Sequence, residues 1–129
     1  MPNSKKITLK DYFLAYLTPT LWATFIFILS AQQVLPGFSI SVYDFIFKKA
    51  AHMFVYGVLY LLLFRAYKQT SQHQLNTKNY LIPLSIALLY AVIDEIHQST
   101  VPGRYPTIRD VGYDFLGMTT VLLYQLKLI

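Results

Sequence analysis

The sequence predicts an all-α, polytopic membrane protein, a single domain over residues 1–129 built as a bundle of four transmembrane helices behind a short basic arm (residues 1–11). Three observations carry this reading. Charged residues make up 13% of the chain, against roughly 25% in an average soluble domain. The mean hydropathy is +0.42. The apolar residues gather into four blocks, and lipid tolerates helical backbone but no exposed irregular backbone, so the blocks are read as helices.

The first block, residues 12–30, carries no charge and at about 1.5 Å per residue is long enough to cross a hydrocarbon core of about 30 Å. Lys5, Lys6 and Lys10 precede it like the basic leader of a secretory signal. Cleavage after Ala31 would place Leu29 where a small residue is wanted, and the apolar run exceeds a signal core of about 7–15 residues, so an uncleaved signal anchor is expected. Pro19 either kinks this helix or marks its true start. The Pro36-Gly37 pair signals a turn, and the spacing of Ile40, Val42, Phe45, Ile46 and Phe47 suits a short interfacial helix in the first outer loop better than a fifth span.

The second block, residues 50–64, is bounded by Lys48-Lys49 and Arg65, and the third, residues 80–93, reaches spanning length when extended through Gln98. Between them, residues 65–79 read as a polar connector in which His73 faces solvent. The fourth block, residues 111–126, holds Asp114 as its one charge.

Lys5, Lys6, Lys10, Arg65, Lys68, Lys78 and Lys127 fall on the N-terminal side of such a bundle, and Lys48, Lys49, Arg104 and Arg109 on the other. The positive-inside rule then puts both termini in the cytoplasm and the residue 94–109 segment outside. The net charge of +5 does not indicate nucleic acid, because the basic residues flank apolar blocks and form no continuous stripe. The absence of cysteine excludes disulfides and thiolate chemistry.

Ionisable residues inside an apolar segment are costly and mark a site by default. Lys49, His52 and Tyr56 share one face of the second helix, at spacings of three and four. On the third, Asp94 and Gln98 are four apart, while Asp94–His97 and Glu95–Gln98 are three apart. On the fourth, Asp110, Asp114 and Gly117 form a stripe entering the membrane. All three stripes lie toward the same membrane face and contain four of the six acidic residues. The connector Val101-Pro102-Gly103-Arg104-Tyr105-Pro106 is a tight turn that holds Arg104 over the helix ends.

Arg104 and Arg109 then have two readings. They neutralise Asp94, Glu95, Asp110 or Asp114 as structural ion pairs, or the layer binds an anionic head group while His52 or Glu95 moves protons. Asp94, Glu95 and His97 together with His52 and Asp110 offer metal-ligand types, but no HExxH-type spacing exists, so neither a metal nor another cofactor is expected. Gly112 and Gly117 are read as close-packing contacts between helices.

These motifs together resemble the VanZ-like membrane proteins. The matching residues are Leu29-Ser30, Lys49-x-x-His52-x-x-x-Tyr56, Asp94-Glu95-Ile96-His97-Gln98, Val101-Pro102-Gly103-Arg104 and Asp110-Val111-x-x-Asp114-x-x-Gly117, in the family's order. Position 114 departs from the pattern, which often has asparagine there; an uncharged role would require Asp114 to be protonated. The resemblance implies four helices and a setting at the cell envelope, since the name-giving member is associated with resistance to teicoplanin, which acts on cell-wall precursors. The ligand-binding set expected from the motifs is Lys49, His52, Tyr56, Asp94, Glu95, Gln98, Arg104, Asp110 and Asp114. The expected partners are the lipid bilayer and a lipid-linked cell-wall precursor or amphiphilic glycopeptide. The alternative is an intramembrane hydrolase or transferase acting on a lipid or polyprenyl-linked substrate.

Overall fold

In a computed structural model, which describes residues 6–33, 37–71, 74 and 76–129, the chain forms α1 (Leu9–Ser30), α2 (Ser41–Thr70), α3 (Thr77–Ser99) and α4 (Ile108–Gln125), with no strand among the described residues. Lys5, Pro36 and His73, to which the sequence reading gave roles, lie outside the described residues.

α1 starts at Thr8 because a capping box satisfies its first turn. The Asp11 carboxylate accepts the Thr8 N–H at 2.8 Å, and the Asp11 N–H donates to Thr8 Oγ1 at 3.3 Å. The helix runs on through Pro19, which is buried in the bundle, so Pro19 does not mark the start.

α2 is longer than its uncharged block. Residues 41–47 form its opening turns, continuous with the rest of the helix, instead of a separate short helix. No proline interrupts the run, and Lys48 pairs with Asp44 one turn back at 2.7 Å, so nothing in the sequence stops the helix at Lys48-Lys49. At about 1.5 Å per residue, its 30 residues make α2 about 45 Å long.

α2 is the hub, packing on α1, α3 and α4, while α1 and α4 make no direct contact among the described residues. The closest approach is between α2 and α4. A Cβ on Gly117 would overlap the Met53 backbone, and one on Gly57 would lie 3.3 Å from the Gly117 carbonyl oxygen. Gly117 is therefore the close-packing glycine the sequence predicts, and Gly57 is its unforeseen counterpart. Gly112 is not one, because a Cβ there would meet nothing within 4 Å.

Tyr56, Leu59, Tyr60, Ala87, Ala91 and Met118 form the centre of the apolar core. The outside is apolar too, with Phe13, Leu21, Phe54 and Leu89 all more than half exposed. A surface of this kind suits lipid, where burial against water is not the driving force. Three helices are long and apolar enough to cross a membrane, over Leu9–Ser30, Ser41–Thr70 and Asn79–Ser99. α4, with 18 residues that include Arg109, Asp110 and Asp114, is not one of them.

Candidate functional site

The polar residues of the four helices meet in one layer, formed by the end of α1, the middle of α2, the end of α3 and the start of α4. Its centre is Asp94, only 4% exposed. Asp94 Oδ2 accepts from Ser30 Oγ at 2.7 Å, Tyr56 OH at 2.9 Å and Gln98 Nε2 at 3.0 Å, so one oxygen joins α1, α2 and α3. A buried carboxylate needs such donors, since an unpaired charge at this depth is costly.

Gln98 passes the network outward. Its Oε1 accepts from Arg104 Nη2 at 2.6 Å, and Arg104 Nη1 donates to the Gln32 carbonyl oxygen at 3.0 Å. Arg104 follows Gly103, whose φ of +81° is left-handed backbone that glycine adopts without strain. Arg104 thus forms no carboxylate pair. Arg109, the other residue expected to neutralise the acidic group, is exposed. The ion pairs come from α2 instead: Lys49 pairs with Asp110, and His52 Nδ1 lies 2.8 Å from Asp114 Oδ1. Asp110 has a second task, because its Oδ2 accepts the Thr107 N–H at 3.1 Å and so caps α4. The Lys49 ammonium also lies 5.4 Å from the ring centroids of both Phe45 and Tyr113.

Glu95 is 8% exposed and neither of its carboxylate oxygens has a hydrogen-bond partner. One ligand atom from each of His52, Glu95 and Asp114 lies within 4.8 Å of the others. This grouping differs from the one spacing offers, because His97 instead stacks on Phe27 of α1, ring centroids 4.2 Å apart.

A cavity of about 530 Å³ opens beside the layer. Lys49, His52, Tyr56 and Asp94 line it, as do Gln98, Arg104 and Asp110; Glu95 and Asp114 do not, and reach the site through His52. Ile26, Leu29, Phe47 and Val55 supply an apolar wall. Spacing alone does not single out Ser30 as part of the site; the available signal is the Leu29-Ser30 pair of the family resemblance. Thr107-x-x-Asp110 is likewise a capping signature readable in the sequence.

An all-helical bundle with an apolar exterior and a hydrogen-bonded polar layer beside a cavity defines a small membrane protein with a polar site. Residues 10–127 match the family model described as VanZ/LLP1, and the chain belongs to the VanZ-like family. No curated protein and no solved structure matches the chain.

Proposed function

We propose that this VanZ-like protein binds the anionic or glycosylated head of a lipid-linked or amphiphilic ligand in the cavity beside its polar layer. Arg104 carries the proposal. It stands in the cavity wall bonded to two neutral acceptors, Gln32 O and Gln98 Oε1, although four carboxylates belong to the same layer. A guanidinium left without a counter-charge is suited to a phosphate or carboxylate, which its planar fork binds two ways. The apolar wall of Ile26, Leu29, Phe47 and Val55 suits the ligand's hydrocarbon part.

In this reading all four helices cross the bilayer, α4 shielding its charges against α2, with both termini cytoplasmic and the cavity at the outer face of the cell envelope. Binding there would lower access of a teicoplanin-type glycopeptide to its cell-wall target. Expression in a sensitive host tests this. The native protein should reduce teicoplanin susceptibility more than vancomycin susceptibility, and Arg104→Ala should restore it. An unchanged response with the native protein removes the resistance role.

Glu95 supports a second reading, because an unpartnered carboxylate close to His52 on the cavity wall is the arrangement of a proton-transfer pair. The protein would then be a hydrolase or transferase on a lipid or polyprenyl-linked substrate. Lipid profiles of a deletion strain and a His52→Ala strain decide it: unchanged lipids and precursors in both remove the enzyme reading.

A further inference from the structure

We infer that His52, Glu95 and Asp114 form a binding site for a divalent first-row transition cation of the zinc type. Three helices supply the ligands, His52 from α2, Glu95 from α3 and Asp114 from α4, and one ligand atom of each lies within 4.8 Å of the others. Tetrahedral ligand atoms about 2.0–2.1 Å from zinc stand about 3.3 Å apart, so closure asks only for side-chain adjustment.

The second observation is the state of the two acids. Both are more than nine-tenths buried, at 8% and 1% exposed, and three of their four oxygens, Glu95 Oε1, Glu95 Oε2 and Asp114 Oδ2, have no hydrogen-bond partner. The neighbouring acids are better provided for: Asp94 Oδ2 takes three donors although its Oδ1 has none, and Asp110 is held by Lys49 and Thr107. Arg104 is turned to neutral acceptors and contributes no ion pair. Glu95 and Asp114 are thus left facing each other and a single imidazole. A divalent cation would neutralise both carboxylates and occupy their empty acceptor positions.

The donor set indicates the kind of ion. One imidazole nitrogen with two carboxylate oxygens suits zinc or a similar transition metal, whereas magnesium and calcium favour all-oxygen sites. Three protein ligands leave a further position open, and His52 borders the cavity. The spacing test applied to the sequence cannot detect this site, because each ligand comes from a different helix. The inference does not rest on the proposed ligand of Arg104.

Metal analysis of the full chain, purified in detergent without chelator, tests the site. We expect roughly one transition-metal ion per chain, or zinc uptake to that level after EDTA treatment and dialysis. Glu95→Gln and Asp114→Asn should each weaken zinc binding more than about tenfold, while Arg104→Gln, in the same layer but outside the trio, should retain it. Zinc should also raise the melting temperature of the native protein. Cobalt added to the native protein gives a readout that needs no variant, since coordination in a low-symmetry nitrogen–oxygen site strengthens and shifts the visible d–d absorption relative to the free aqua ion. A native chain that takes up neither zinc nor cobalt overturns the site. So does zinc binding that survives unchanged in both acid variants.

Discussion

The same four helices build two regions held by different means. Around Tyr60, Phe64, Leu84 and Tyr80 the bundle is joined by shape: Phe64 stacks on Tyr80 with centroids 4.7 Å apart, and the hydrogen bond from Tyr60 OH to Gln125 Oε1, at 2.9 Å, ties α2 to α4. Around Asp94 it is joined by donors and acceptors whose directions must agree. Lipid gives little reason for apolar helices to associate, so the first region relies on close contact and the second on the penalty for leaving a polar group alone. A packed region relaxes when altered, whereas a wired one leaves orphaned groups behind.

Asp94→Ala should therefore have the largest effect, a loss of about 3–5 kcal/mol, because it strands the Tyr56, Ser30 and Gln98 donors together; thermal melting in detergent measures it. Asp94→Asn, which keeps an acceptor, should lose visibly less. An equal loss in the two would mean that the layer is held by shape after all. Next comes Gly117→Ala, expected to destabilise by about 1–3 kcal/mol as α2 and α4 are forced apart at Met53. Gly112→Ala on the same helix should do the opposite and stabilise by about 0.5–1 kcal/mol, since the added methyl meets nothing and helix propensity improves. Melting curves of the pair sharpen the comparison by sign alone. Tyr60→Phe should lose only about 1 kcal/mol, the value of one hydrogen bond in an otherwise apolar setting. Lys48→Ala, which breaks an exposed pair with Asp44, should leave the melting temperature unchanged within error.

The blocks and the side-chain faces were legible because they depend on periodicity. The helix limits were less so, since Lys48, Lys49 and Arg65 read as boundaries although α2 continues past them. Long cationic side chains carry their charge away from the backbone, and here Lys48 and Lys49 find Asp44 and Asp110. Spacing also brought Lys49, His52, Tyr56, Asp94, Gln98 and Asp110 toward one layer. It could not tell which of them pair. Of the two readings of Arg104, the one that matched it by sign to a carboxylate does not hold, because its partners are an amide oxygen and a backbone carbonyl, and neither carries a formal charge. Spacing within α3 is equally silent on His97, a residue of metal-ligand type whose ring instead follows Phe27 on a neighbouring helix.

The single oxygen of Asp94 that receives Ser30, Tyr56 and Gln98 has a consequence for how the molecule is made. Three segments far apart along the chain converge on it, so the junction cannot exist before α1, α2 and α3 have come together. The cavity wall it steadies is therefore a late product of folding, absent from any helical hairpin that precedes it. The complete junction and the gathering of α1, α2 and α3 are one event, whereas the Lys49–Asp110 and His52–Asp114 pairs ask only that α2 and α4 meet.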